Sequence, residues 1–127
     1  MNQAVVAIGS NIEPERNIPA AIEQLEAVMS VLCESRFLHT EPVGPSGQPE
    51  FVNGAVLVET PLDRVGLKSL LRGVESQLGR VRTIDRYAPR PIDLDIVVWN
   101  GRIVDDDVRE RDFLHAAIRE VLPTLQL

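Results

Sequence analysis

Cysteine is nearly missing from this chain: the one thiol, Cys33, excludes an intrachain disulfide and a zinc site built on thiolates. Lysine is as scarce. Lys68 stands alone against twelve arginines, so any anion the protein grips must be held by guanidinium groups, helix ends or a metal. No apolar run approaches the ~20 residues of a membrane span. The N-terminus, Met1-Asn2-Gln3-Ala4, lacks the basic-then-apolar pattern of a signal peptide, so the expected location is the cytoplasm. A net charge of −6 removes the basic face that a general nucleic-acid or membrane-surface binder needs. There is no Gly-x-x-x-x-Gly-Lys loop, and His39 and His115 stand apart, without metal-ligand spacing. No Ser/His/Asp or Cys/His arrangement stands out. What remains is a length of 127 residues, which suits one compact domain spanning 1–127.

Residues 4–8 form an apolar run stopped by Gly9-Ser10-Asn11, read as a buried strand ending in a turn. Asn17 is a candidate helix cap, with Pro19 in the first turn and Ile18, Ile22, Leu25, Val28, Met29 and Leu32 along one apolar face. Residues 33–39 read as an edge strand leading to Thr40. The Pro/Gly-rich segment 42–49 is a loop, and Phe51 to Val58 a strand. Thr60-Pro61 opens a second helix carrying Leu67, Leu70, Leu71, Val74 and Leu78, with Gly79 as its stop. An Arg-rich loop over 80–91 precedes a strand from Ile92 to Trp99, an Asn100-Gly101 hairpin and a short return. The acidic turn Asp105-Asp106-Asp107 leads to a last helix. The order βαββαββα predicts an α+β, ferredoxin-like (split βαβ) fold, an antiparallel sheet with helices on one face.

Alternation along Ile92–Val98 sends Ile92, Leu94 and Ile96 to one side and Asp93 and Asp95 to the other. Two adjacent carboxylates repel unless something positive lies between them, and Mg²⁺ takes such hard oxygen ligands together with phosphate. Arg80, Arg82, Arg86 and Arg90 come just before the pair, and arginine grips phosphate oxygens in pairs. Phosphoryl transfer needs this combination, because positioning and charge neutralisation carry its catalysis. A solvated polar strand face neutralised by an Arg-rich loop explains the same residues. Phe51 and Asn53 also share a strand face, which suits a flat heterocycle: stacking from one, paired donor and acceptor from the other. A core Phe beside an ordinary Asn is the plainer alternative.

Gly9-Ser10-Asn11, Gly44-Pro45-Ser46-Gly47-Gln48-Pro49-Glu50-Phe51-Val52-Asn53, Glu75-Ser76-Gln77-Leu78-Gly79-Arg80 and Arg86-Tyr87-Ala88-Pro89-Arg90-Pro91-Ile92-Asp93-Leu94-Asp95, in that order, resemble the 6-hydroxymethyl-7,8-dihydropterin pyrophosphokinase family. The resemblance runs from the first strand to Pro123. It implies a ferredoxin-like fold and transfer of pyrophosphate from ATP to a reduced pterin in folate biosynthesis, releasing AMP. It implies that Asp93 and Asp95 bind two Mg²⁺ ions and that Arg80 and Arg90 stabilise the transferring group. Glu75, Arg82 and Arg111 would lie on the ATP side. Phe51 and Phe113 would sandwich the pterin, with Asn53 and the segment of Thr40, Pro42 and Val43 reading its polar edge.

The chain departs from the family between the Asp95 strand and Arg111. Members usually carry a longer connection with a Val-Pro-His-Pro-like stretch that supplies a His to the triphosphate. Here residues 100–110 are shorter, without His or Pro, and hold Asp105, Asp106 and Asp107. The expectation is therefore a divergent pyrophosphokinase. The alternatives are a non-catalytic pterin-binding or regulatory relative, or an enzyme with a different nucleotide or pterin-like substrate. Oligomeric state is not readable from sequence.

Overall fold

The structure is a computed structural model that describes residues 1–41, 49–80 and 90–127. Its elements run β1 (Asn2–Ser10), α1 (Pro14–Glu26), β2 (Ser30–Glu34), β3 (Leu38–Thr40), β4 (Phe51–Thr60), α2 (Arg64–Gln77), β5 (Asp93–Trp99), β6 (Arg102–Ile103), α3 (Asp107–Glu110) and α4 (Asp112–Val121). The strands form one antiparallel sheet in the order β2-β4-β1-β5-β6, with β3 also pairing β4. No helix among the described residues is long and apolar enough to cross a membrane.

Helices pack on both faces of the sheet, not on one as expected. Period-two alternation along β1 sends Ala4, Val6 and Ile8 to a core with Val56, Val58, Leu94 and the apolar stripes of α1 and α2. Val5 joins Ala55, Leu57 and Val97 on the opposite face, where α4 covers them with Leu114, Ala117, Ile118 and Val121. An antiparallel sheet with apolar residues on both sides must be covered twice. The interleaved Val-Val and Ala-Val pairs of β1 and β4 are the sequence trace of that double burial.

Several boundaries differ from the sequence reading. Strand β1 continues through Gly9 to Ser10, because it lies between β4 and β5 and is hydrogen-bonded on both sides. Helix α1 starts earlier, with Pro14 in its first turn and Glu13 left-handed at φ 42°. Asn17 does not cap the helix. It is buried inside it, its Nδ2 donating to the Ile12 carbonyl at 2.7 Å, and Pro19 sits in the helix body. The helix ends at Glu26, so Leu32 falls on β2 and is exposed, as is Val28.

The single edge strand expected over 33–39 is two strands, β2 and β3, both laid along β4. Between them Ser35 keeps register: its N–H donates to the Ala55 carbonyl and its Oγ accepts from the Ala55 N–H at 2.8 Å. Helix α2 opens at Arg64, capped by Asp63, whose carboxylate accepts from Gly66 N–H at 2.7 Å. Thr60 and Pro61 belong to the strand end and turn before it. The acidic turn runs into a short extra helix, α3, ahead of α4.

Gly54 on β4 lies under the Phe37 ring, which a Cβ would meet at 2.6–2.8 Å. Gly54→Ala should therefore lower stability by about 1–3 kcal/mol through overpacking. Urea unfolding followed by circular dichroism measures it; an unchanged midpoint would show that the ring moves aside freely.

Candidate functional site

Of the side chains singled out from sequence, Asn53, Asp93, Asp95, Arg111 and Phe113 meet on the α4 face of the sheet. Two rows cross it in register: Asn53, Gly9 and Asp93 form one, and Ala55, Ala7 and Asp95 the next. The middle of each row is small, so the sheet has a low floor with an amide on one flank and two carboxylates on the other. Neighbouring strands lie about 4.8 Å apart, which separates the β4 flank from the β5 flank by roughly 10 Å. Over this floor lies a recess of about 80 Å³ lined by Gly9, Asn53, Asp93, Asp95, Arg111 and Phe113, with Asp105 and Asp107 also on its wall.

Gly9 is part of the floor and not a turn. A Cβ there would stand 2.5 Å from Asn53 Oδ1 and 3.8 Å from Phe51. Phe51 and Asn53 share the face as alternation requires, both half-buried. Asn53 Nδ2 donates to Thr40 Oγ1, which fixes the amide orientation across the β3–β4 pair. Phe113 stands in the first turn of α4. Arg111 just precedes that helix, 3.7 Å from an Asp107 carboxylate oxygen.

On the carboxylate flank, Arg80 Nη1 donates to Asp93 Oδ1 at 2.7 Å and Arg90 Nη1 to Asp93 Oδ2 at 3.0 Å. Asp95 is held more weakly, by Arg72 Nη2 at 3.3 Å. Its pKa is pushed up to about 6, chiefly by desolvation and then by the neighbouring Asp93 charge, while Arg72 pulls the other way. A carboxylate that resists ionising beside another carboxylate is a place where added positive charge is favoured.

Glu75 lies behind this pair with only 2% of its side chain exposed. Strand β6 pairs β5 only at Val98 and Trp99, which among the described residues leaves the earlier edge of β5 unpaired by strands. Side chains from α2 cover it. Glu75 Oε2 accepts from Leu94 N–H at 2.8 Å, and Arg72 Nη1 donates to the Leu94 carbonyl at 2.9 Å. Glu75 also accepts from Arg72 and from Arg80, each at 2.8 Å. One buried carboxylate thus completes a sheet edge and aims two guanidinium groups at Asp93 and Asp95. Partial burial opposes the charge on Arg72, yet the Glu75 hydrogen bond and charge, followed by Asp95, raise its pKa overall.

Sequence reasoning missed Arg72 and Asn11. The Arg72–Glu75 spacing of three within a helix was the available signal for the first. In the sequence Asn11 reads as the end of a turn within the Gly9-Ser10-Asn11 motif, with no role of its own. It is buried, its Oδ1 accepting from Arg90 N–H at 2.6 Å and its N–H donating to the Arg90 carbonyl at 3.1 Å, so it anchors the backbone that delivers Arg90. Pro42, Val43, Arg82, Arg86 and Tyr87 lie outside the described residues. A larger cavity of about 730 Å³, between α1 and the β2–β3 edge, contains none of the residues singled out for chemistry. His39 faces Glu50, and among the described residues no group of three or more His, Cys, Asp or Glu side chains is arranged to hold a metal by itself.

Fold and site together define an α+β protein whose antiparallel sheet presents a small-residue floor between an amide–aromatic flank and an arginine-bound carboxylate pair. Residues 5–123 match the family described as 7,8-dihydro-6-hydroxymethylpterin-pyrophosphokinase, and the chain belongs to that family. It is 35% identical over 136 residues to the 2-amino-4-hydroxy-6-hydroxymethyldihydropteridine pyrophosphokinase of Methylorubrum extorquens, covering 98% of this chain and 85% of that protein. The Haemophilus influenzae protein of the same name is 30% identical over 138 residues, covering 100% and 86%. Both alignments are longer than this chain, so each relative carries residues with no counterpart here. The folate synthesis bifunctional protein of Arabidopsis thaliana is 33% identical over 132 residues, covering 96% of this chain and 27% of that protein.

Proposed function

We propose that residues 1–127 act as one pterin pyrophosphokinase-like domain in the cytoplasm, transferring pyrophosphate from ATP to 6-hydroxymethyl-7,8-dihydropterin in folate biosynthesis and releasing AMP. The observation that carries the reading is the Asn53–Gly9–Asp93 row. It sets a heterocycle-binding flank about 10 Å from a carboxylate flank, a span that a bicyclic ring with a hydroxymethyl arm crosses. Family membership and the names of the relatives support the same chemistry. The strand order β2-β4-β1-β5 supports a ferredoxin-like arrangement, with β2 and β3 standing in for its second strand.

In this reading Asn53, oriented by Thr40, pairs with the polar edge of the pterin, Pro42 and Val43 read the same edge by family resemblance, and Phe51 and Phe113 hold its faces. Seating the ring requires the recess to widen, since its 80 Å³ falls short of the ~300 Å³ or more of small-molecule sites. Asp93 and Asp95 fit a hard divalent cation: they share a sheet face, and the Asp93 charge adds to burial in disfavouring Asp95 as an anion. When bound there, Mg²⁺, two ions by family resemblance, supplies charge neutralisation across the triphosphate. Arg80 and Arg90 stabilise the charge on the transferring group as the hydroxymethyl oxygen bonds to the β-phosphorus and the bond to AMP breaks. Arg82 and Arg111 add contacts to ATP. Glu75, being buried and fully engaged, serves the nucleotide by holding Arg72 and Arg80 in place.

A second reading, pterin binding without ATP use, is favoured by Asp105 and Asp107 on the wall of the same recess, where they oppose a polyphosphate. Calorimetry with the pterin and with α,β-methylene-ATP plus Mg²⁺, beside an assay of AMP release, separates the two. Ternary binding with AMP release is the expected result. Pterin binding without nucleotide binding would remove the kinase and leave the second reading.

A further inference from the structure

We infer that Arg72 shields Asp95 until a divalent cation arrives, and then turns its released Nη2 to the polyphosphate. The inference rests on the pyrophosphokinase reading and deepens it by adding one nucleotide-binding residue. Among the described residues three guanidinium groups reach the carboxylate pair, and their contacts are unequal. Arg80 and Arg90 close on the two oxygens of Asp93 at 2.7 and 3.0 Å. Arg72 reaches Asp95 Oδ1 at only 3.3 Å, and Asp95 is the more exposed acid, at 42% against 22% for Asp93. A cation that takes the Asp95 carboxylate therefore competes with one long contact from Arg72, whereas at Asp93 it competes with two shorter ones.

The rest of Arg72 stays fixed during that exchange. Its Nη1 is anchored by both oxygens of Glu75, at 2.8 Å each, and by the Leu94 carbonyl at 2.9 Å. The side chain remains 30% exposed, against 11% for Arg80, so its free edge has a route to a ligand. An anchored guanidinium with one exchangeable edge loses little entropy on gripping phosphate, which is why a planar fork suits the task better than a lysine.

The proposal gives two effects of opposite sign in Arg72→Gln, which removes both the charge and the fork. Mn²⁺ titrated into the protein without nucleotide, followed by electron paramagnetic resonance, should bind several-fold more tightly than to wild type, since its competitor is gone. α,β-Methylene-ATP with Mg²⁺, measured by calorimetry, should bind about tenfold more weakly, the loss of one charged hydrogen bond. The KM for the pterin should not change. Arg72→Lys, keeping the charge without the fork, should restore Mn²⁺ affinity toward wild type but not nucleotide affinity. A variant that merely loosens the fold loses both affinities, and that result overturns the proposal, as does Mn²⁺ affinity that stays level or nucleotide affinity that does not fall. Failure of the wild type to release AMP would instead overturn the enzyme reading. The Mn²⁺ arm would still decide whether Arg72 and a cation compete.

Discussion

Glu75→Ala should lower the stability of the fold by about 3–5 kcal/mol, the range for breaking a buried ion pair by removing one partner. At 2% exposure Glu75 is satisfied by Arg72, Arg80 and the Leu94 N–H. Removing the carboxylate leaves two guanidinium groups without their main anion. It also leaves a buried β5 amide without an acceptor, and α2 loses its polar tie to β5. Glu75→Gln keeps an oxygen for the Leu94 N–H but loses the charge, so it should fall between Ala and wild type. Urea unfolding of both variants at pH 7 measures the order. A loss below about 1 kcal/mol in the alanine variant would mean that water replaces the network at little cost. The same substitution should weaken nucleotide binding without contact with ATP, because Arg72 and Arg80 lose their aim.

Asp95→Asn should lower AMP release at least about a hundredfold, the scale of removing one preorganised electrostatic group from a reaction centre. The fold should respond in the other direction. Asp95 has a pKa near 6 in the folded chain against 3.8 as its ordinary value. Between those two pH values the folded form holds more protons than the unfolded one, so this group makes stability fall as pH rises from about 4 to about 6. Asn carries no such charge. The variant should match wild type near pH 4 and melt higher than wild type above pH 6, the gap opening across that window. Thermal melts at pH 4, 5, 6 and 7 test it. A gap that is constant with pH would show that Asp95 ionises as freely folded as unfolded. Lost activity with gained stability would mark Asp95 as a residue kept for its ligand at the expense of the fold.

The distances among these residues show what was readable in advance. Alternation alone puts Asp93 with Asp95, and Phe51 with Asn53, because the side-chain period of a strand is two whatever surrounds it. The β-to-α order was legible for the same reason: apolar spacings of two and of three-to-four are local. Ends of elements were less so. Gly9 reads as punctuation and Leu32 as helical until neighbouring strands are present, since a paired strand tolerates a glycine and a helix yields where an edge strand gains partners. Both faces of the sheet being covered was written in the unbroken apolar runs of residues 4–8 in β1 and 55–58 in β4, though an isolated apolar run does not say whether its second face meets a helix.

Sequence by itself determined the kinds of groups available, which carboxylates and rings share a strand face, and the family pattern in which they occur. Only the tertiary structure decided that Gly9 and Ala7 make the floor between those faces and that Asn11 holds the backbone of Arg90. It alone decided that Glu75 is buried as the hub of Arg72, Arg80 and Leu94. The physical reason is that these relations join residues far apart in the chain through strand register and edge hydrogen bonds. Register is set by packing of the whole sheet, and no local spacing encodes it.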